Sequence, residues 1–498
     1  MTTTLLTERL LPMLVSKNNV STMRHNILKE VARSYLNDHF ADIDNVPSSL
    51  IPEDAAPIRG SIARDREIVK EQCLAAMGIC PEESDAAAQS LSEFAQTALQ
   101  RQQLCTNKIS VIHNACAACM KPQHVVSNMC RSCAARPCMV NCPKKAISFV
   151  DGKAHIDTSL CINCGICKES CPYSAIIKAP LPCEDACPVS ALSKDDEGKE
   201  HIDHEKCVSC GQCLGSCPFG AIVERSQMID VLRKIKETEQ KVVAMVAPAV
   251  MGQFAGTINN LVGALKQLGF DDVIEVAVGA DVTTQREAAE FVERMEEGQK
   301  FMTTSCCPAY FRAAHIHIPE LAPYVSSTKT PMYYTAELVK QDNPDCLTVF
   351  VGPCLAKRME AESDPNTDYV ITFEELSAIF DAAEIKVAEA PAEELTKISH
   401  AQGRIYPISG GVAGAVASLV GDKVELRLER VDGLNKDSMK LLKRYATKGG
   451  ENNMIEVMTC AGGCVGGPGC IAMAKKAARV VETYSQAGEQ LTADSKIG

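Results

Sequence analysis

Along the first hundred residues hydrophobic positions recur at helical spacing, as in Glu67-Ile68-Val69-Lys70-Glu71-Gln72-Cys73-Leu74-Ala75-Ala76-Met77, with Pro52, Pro57 and Gly60 interrupting the run. Residues 1–105 therefore read as a helical N-terminal region. From 106 to 226 the pattern breaks into very short apolar pieces, Ala146-Ile147, Ala175-Ile176-Ile177, Ala191-Leu192 and Ala221-Ile222-Val223, each following a Cys-Pro step. That recurrence predicts tandem copies of one α+β unit pair. From 227 to 498 the apolar runs lengthen: 242–246, 273–278 and 347–351 read as strands, with helical stretches such as 281–295 between them, an α/β pattern. Three apolar segments, 300–303, 347–351 and 454–458, run directly into cysteine-bearing loops. Open α/β sheets gather ligands beyond the carboxyl ends of their strands, so these cysteines have a physical reason to converge.

Composition narrows the picture. At 498 residues the chain is long enough for two to four domains, and it carries 26 cysteines with no tryptophan. Disulfide scaffolds are short and loop-rich, whereas these thiols sit in C-x2-C units between ordinary globular segments. The opening Met1-Thr2-Thr3-Thr4-Leu5-Leu6 lacks a basic, then apolar, leader, and no apolar run approaches the roughly 18 residues that span a bilayer. The expectation is a cytoplasmic protein with reduced thiols and no membrane partner. A net charge of −12 disfavours nucleic acid.

The cysteine spacing carries the first chemistry. Cys130-x2-Cys133-x4-Cys138-x3-Cys142-Pro143 precedes Cys161-x2-Cys164-x2-Cys167-x3-Cys171-Pro172; then come Cys183-x3-Cys187-Pro188 and Cys207-x2-Cys210-x2-Cys213-x3-Cys217-Pro218. C-x2-C-x2-C-x3-C-P is the dicluster ferredoxin pattern, in which the fourth cysteine ligates the other cluster of the pair. By that rule Cys130, Cys133 and Cys138 join Cys171; Cys161, Cys164 and Cys167 join Cys142; Cys207, Cys210 and Cys213 join Cys187. Cys183 and Cys217 then lack two partners, and Cys116-Ala117-Ala118-Cys119 is the C-x2-C left to supply them. Four accessory 4Fe–4S clusters result. The competing reading makes Cys116 and Cys119 half of a zinc site or a surface thiol pair, with His113 and His124 as further candidate ligands. Cys73, Cys80 and Cys105 have no ligand-like spacing and read as small core residues.

At three later loops the chain resembles the iron-iron (FeFe) hydrogenases, whose signatures run TSCCPxW, MPCxxKxxE and ExMxCxxGCxxGG. They stand here as Thr304-Ser305-Cys306-Cys307-Pro308-Ala309-Tyr310, Gly352-Pro353-Cys354-Leu355-Ala356-Lys357-Arg358-Met359-Glu360 and Glu456-Val457-Met458-Thr459-Cys460-Ala461-Gly462-Gly463-Cys464-Val465-Gly466-Gly467. The resemblance spans about 106–480 and leaves the N-terminal hundred residues unexplained. It implies a two-lobed α/β catalytic domain behind ferredoxin-like modules. It also implies an H-cluster: a 4Fe–4S cube on Cys307, Cys354, Cys460 and Cys464, with Cys464 bridging to a two-iron subsite that bears CO, cyanide and an azadithiolate.

The resemblance further makes Cys306 the proton donor and acceptor, and Lys357 the residue that hydrogen-bonds a cyanide. Pro248 and Met458 become walls of an apolar pocket. It implies a proton route through Cys306, Glu287, Ser326 and Glu290; Glu287 and Glu290 share one helix face. Other readings stand beside these. Cys306 can be a fifth ligand or an inert thiol, Lys357 a surface lysine, and Thr284-Gln285-Arg286-Glu287 a helix-capping box. Aligning that helix to the family requires a one-residue deletion before Thr304. The chain departs from the signatures at Tyr310 (tryptophan), Gly352 (methionine) and Ala249 (often serine), and continues Gly467-Pro468-Gly469-Cys470. These departures resemble the branch labelled B. Cys470 reads equally as a protective or spare thiol and as a loop residue.

The resemblance implies a hydrogenase interconverting two protons, two electrons and H2, exchanging electrons with ferredoxin or flavodoxin and receiving its two-iron subsite from maturases. No dinucleotide fingerprint is visible, which speaks against direct NAD use. The alternatives are a hydrogenase-like sensor or cluster-assembly factor, and an electron-transfer subunit of a larger complex.

Overall fold

The computed structural model describes residues 18–82, 88–104, 106–119, 123–421, 423–492 and 494–495. The leader reading at residues 1–6, and Cys105, lie outside the described residues.

The N-terminal region is helical, with helices Asn19–Leu36, Ile62–Ala76 and Leu91–Gln100. Asn18, Ser61 and Ser90 each accept a backbone N–H from the first turn that follows, which sets where these helices begin. Cys73 is buried among apolar side chains, whereas buried Cys80 accepts a hydrogen bond from the Arg225 guanidinium, so the core reading holds for Cys73 and not for Cys80. The region does not stand apart. Helix Asn19–Leu36 packs along helix Phe373–Ala382 of the α/β part, tied by Arg24–Glu374 at 2.6 Å and His25–Asp381 at 2.8 Å.

Antiparallel two-stranded ribbons make up the middle of the chain: Ile109–Val111 with Ile222–Glu224, Gln123–Val126 with Ile176–Ala179, Ile147–Val150 with Lys153–Ile156, and Leu192–Lys194 with Glu200–Ile202. Each follows or closes on a Cys-Pro turn, and the cysteines sit in loops and single-turn helices between ribbons. Ser132, Asn163, Ser174, Ser190 and Ser209 have φ between 49° and 55°. The backbone at these turns bends tightly around whatever the thiols enclose.

Beyond residue 227 lie two parallel sheets. One has the order Asp272–Glu275, Val242–Val246, Leu347–Gly352, Tyr369–Thr372; the other Met302–Thr303, Met454–Met458, Leu428–Asp432. Strands Val242–Val246 and Met454–Met458 are buried at every position, as parallel strands covered on both faces require. The α/β architecture and the ferredoxin-like modules before it match the expectation. In detail the strand expected at 273–278 ends at Glu275, and helix Ala277–Glu296 begins at once, several residues earlier than its polar periodicity indicated. Thr284 is therefore mid-helix. Its Oγ1 donates back to Ala280 O at 2.8 Å, so the capping-box reading does not hold.

Buried Arg358 locks the parts together. Its guanidinium donates to Glu224 at 3.0 Å and Glu375 at 2.5 Å, and to the carbonyls of Arg225 and Val370. One side chain thus ties the last ferredoxin-like strand to the loop that carries Cys354.

Candidate metal centre

The carboxyl ends of both sheets face one chamber of about 870 Å3, part of it open to solvent. Each strand delivers its own wall: Pro248 and Ala249 after Val242–Val246, Cys306 and Cys307 after Met302–Thr303, Pro353 and Cys354 after Leu347–Gly352, Met458 and Cys460 after Met454–Met458. Cys464 and Lys357 complete it. Five cysteines from three separated loops are brought to a single cavity. Cys307 Sγ also lies 3.2 Å from Thr459 Oγ1.

Burial pushes three of the thiols proposed for the cube against ionisation: Cys354 rises to about 11, and Cys460 and Cys464 are raised well above the ordinary thiol range, each aggravated by its neighbours. Such a set suits a cation that stabilises thiolates. Among the described residues no three His, Cys, Asp or Glu side chains close on one metal-ion position. The thiols line the walls of a space larger than one ion, which fits an iron–sulfur cluster and not a lone zinc.

The ferredoxin-like part repeats this arrangement on a smaller scale. Cys142, Cys161, Cys164 and Cys167 line one cavity of about 350 Å3, with His124 on its wall; Cys130, Cys133, Cys138 and Cys171 line another of the same size. Cys116, Cys119, Cys183 and Cys217 line a third of about 370 Å3. Cys187, Cys207, Cys210 and Cys213 stand close enough for the charge of one to act on another. Cys210 also reaches the large chamber, where Cys307 acts on it.

Around Cys306 the structure assembles a graded acid–base set. Cys306 is held well above the ordinary thiol range, first by burial and then by Glu287 and Cys307. Glu287 is fully buried; its Oε1 accepts Ser305 N–H at 3.3 Å, and Oε2 finds no hydrogen-bond partner among the described residues. Burial, then the Glu290 charge, raises Glu287 to about 8. For Glu290 burial acts against the charge, but hydrogen bonds from Ser326 (2.6 Å), Ser327 and Thr328 outweigh it and hold it near 2. Arg294 pairs with it at 2.6 Å. Ser326 is near enough to Glu287 to favour its charged form while hydrogen-bonding Glu290.

Lys357 faces the chamber, yet it already has an anionic partner: its Nζ donates to Glu360 at 2.6 Å and to Thr330 Oγ1 at 2.9 Å, leaving one of three N–H bonds for a chamber occupant. The signature departures have local causes. Gly352 leaves space that the Phe350 ring fills, since a Cβ there would collide with it. Tyr310 is fully buried and donates to Thr303 Oγ1 at 2.6 Å. Cys470 lies outside the chamber wall, its Sγ donating to Cys464 O at 3.5 Å.

Tyr406 escaped the sequence reading. It lines the chamber, bonds Thr284 Oγ1 at 2.9 Å and packs with Met458 beside Cys306. No motif marks it; only the meeting of helix Ala277–Glu296 with helix Ala401–Ile405 brings it in.

Fold and site together define an iron–sulfur, electron-transferring protein of the oxidoreductase class. The "iron only hydrogenase large subunit, C-terminal domain" family matches residues 240–468, a 4Fe–4S binding domain matches 154–177, and an LdpA Fe-S cluster-binding domain matches 177–228. The periplasmic [Fe] hydrogenase large subunit of Nitratidesulfovibrio vulgaris is 31% identical over 372 residues, covering 63% of this chain and 85% of that protein. The chain belongs to the iron-only hydrogenase family. Iron hydrogenase 1 of Clostridium pasteurianum is 30% identical over 302 residues, 49% of this chain and 53% of that protein, so the chain spans about half of that relative's length. The cytosolic Fe-S cluster assembly factor NAR1 of Kluyveromyces lactis is 31% identical over 110 residues, covering 22% and 24%. The relatives of this chain thus include hydrogenases and an assembly factor. No helix of the described residues is long and apolar enough to cross a membrane.

Proposed function

We propose that this chain is an FeFe hydrogenase that interconverts H2 with two protons and two electrons. In this reading residues 1–105 brace the molecule, 106–226 carry the electron-transfer clusters and 227–498 hold the catalytic centre. The observation that carries it is the single apolar chamber in which Cys307, Cys354, Cys460 and Cys464 surround a space while Cys306 and Lys357 face the same space. Those four cysteines would hold the cube of an H-cluster, Cys464 bridging to the two-iron subsite, and when bound the cluster supplies the redox chemistry of H2.

The chain's own groups do the rest. Pro248, Ala249, Phe350 and Met458 give the chamber apolar walls. Lys357 presents its remaining N–H to an anionic ligand, held in place by Glu360 and Thr330. Cys306 Sγ carries a proton at neutral pH and passes it to Glu287 as that carboxyl, mostly neutral there, releases its own proton toward Ser326. Ser326 hands it on to Glu290, ionised and anchored by Arg294 at the outer end. Electrons would travel between an external carrier, a ferredoxin or flavodoxin, and the chamber, with Cys210 at the last step.

Similarity to the assembly factor favours a second reading, a non-catalytic iron–sulfur protein. Anaerobic protein loaded by hydrogenase maturases separates them: infrared bands of bound CO and cyanide with H2-dependent viologen reduction are expected. Loaded clusters with neither bands nor turnover would leave the second reading.

A further inference from the structure

The internal repeat supplies its own comparison. After Cys142-Pro143 runs Ala146-Ile147-Ser148-Phe149, and after Cys187-Pro188 runs Ala191-Leu192-Ser193-Lys194; the returning strands read Ala154-His155-Ile156-Asp157 and Glu200-His201-Ile202-Asp203. Phe149 pairs across its ribbon with Ala154, and Lys194 pairs with Glu200 at the same register. Phe149 and Ala154 line the cavity of Cys130, Cys133, Cys138 and Cys171. Lys194 and Glu200 line the equivalent cavity of Cys116, Cys119, Cys183 and Cys217. Between copies, an apolar pair has become an ion pair facing the thiols.

Stability does not explain that exchange. Lys194 Nζ lies 2.7 Å from Glu200 Oε1, with side chains 9% and 5% exposed. Beyond that ion pair, the buried ammonium and both carboxylate oxygens have no hydrogen-bond partner among the described residues. Burying such a pair costs more than an apolar pair of similar volume, and the first module folds with the apolar one. The charges of Cys116 and Cys119 act on the ammonium, and the carboxylate acts on Cys183. The first site also has cations near it, Arg131 on the cavity wall and Lys153, whose charge acts on Cys130, but both side chains are exposed and water screens them.

We infer that Lys194 and Glu200 set the reduction potential of the site framed by Cys116, Cys119, Cys183 and Cys217, Lys194 making it easier to reduce than its repeat counterpart. This rests on the reading that those four thiols hold a 4Fe–4S cluster. On reduction one electron arrives from a low-potential one-electron donor, no bond is made or broken, and the cluster gains one negative charge. The nearby ammonium stabilises that charge and turns its unspent N–H bonds toward sulfur, while Glu200 anchors the ammonium and partly offsets it. Lys194 is a positioning residue for electrons, not a catalytic one.

The test is an EPR-monitored redox titration of the full-length reconstituted chain with dithionite, the relevant signal being the one that Cys119→Ser removes. Lys194→Met is expected to shift the reduction equilibrium against the cluster by at least about tenfold, 59 mV for a one-electron couple. Glu200→Gln is expected to shift it the other way, and Lys194→Arg to stay near the wild type. Lys194→Phe with Glu200→Ala, the pair the first module already folds with, should lower the potential less than Lys194→Met alone. Unmoved potentials, or shifts in one direction for Lys194→Met and Glu200→Gln, overturn the inference. So does loss of four irons in every Lys194 variant, which would make the pair an assembly element. If Cys119→Ser removes no signal, the four-thiol reading falls, and the tuning role with it.

Discussion

Replacing Glu287 by glutamine separates the proton path from the packing that creates it. The side chain is fully buried, its Oε1 holding Ser305 N–H at 3.3 Å and its Oε2 unpartnered among the described residues. Glutamine keeps that shape and an acceptor for Ser305 but cannot exchange a proton. With its folded value raised from 4.5 to about 8, the carboxyl is about nine-tenths neutral at pH 7. The unfolded chain ionises the same group near 4.5, so the folded state binds the extra proton between those limits. Stability from this residue is therefore whole below pH 4.5, declines as pH rises, and is fully lost above about 8. At 1.36 kcal/mol per pH unit the loss reaches about 5 kcal/mol as a ceiling.

Glu287→Gln has no such slope. Its melting temperature should match the wild type near pH 5 and exceed it by several degrees at pH 8.5, at roughly 2–4 °C per kcal/mol for a domain of 150–250 residues. H2-dependent viologen reduction at pH 7 should fall by about 100-fold or more, the usual worth of a positioned proton carrier. A melting difference that stays constant from pH 5 to 8.5 would refute the raised carboxyl, and wild-type turnover in the variant would remove Glu287 from the route.

Cys306→Ala should leave iron content and infrared bands unchanged while cutting turnover by about 100-fold or more; an unchanged rate would exclude Cys306 as the first proton carrier. Arg358→Met strands Glu224 and Glu375 in the interior and should cost about 3–5 kcal/mol, read as a lowered melting temperature of the metal-free chain. A melt within a degree or two of wild type would mean the network contributes little. Cys116→Ser with Cys119→Ser should lose one four-iron equivalent on iron and sulfide analysis, and undiminished iron would eliminate the fourth accessory cluster.

Much of this was readable in advance because the chemistry is local. A C-x2-C-x2-C-x3-C-P loop encodes its geometry within a dozen residues, and Cys-Pro steps before short apolar runs mark where ribbons start. The pairing of Cys116 and Cys119 with Cys183 and Cys217 followed from elimination, and those four thiols share a cavity wall. The boundary near residue 276 was less legible. Val276 and Val278 are apolar and buried, and a short buried run cannot show by period alone whether it ends a strand or opens a helix. The upward shift of Cys306 was not legible for a related reason: it depends on burial and on Glu287, which lies far from it in the sequence.

The amino-acid order alone determined the family, the α/β and ferredoxin-like architecture and the candidate thiols, since each rests on spacing within one loop or periodicity within one element. Only the tertiary structure decided that Tyr406 walls the chamber, that Glu360 already occupies Lys357, that Arg358 joins three segments, and that Lys194 and Glu200 face the fourth thiol set. Burial and charge act through space across residues far apart in the chain, and it is these long-range contacts that set whether a thiol, carboxyl or ammonium carries its charge.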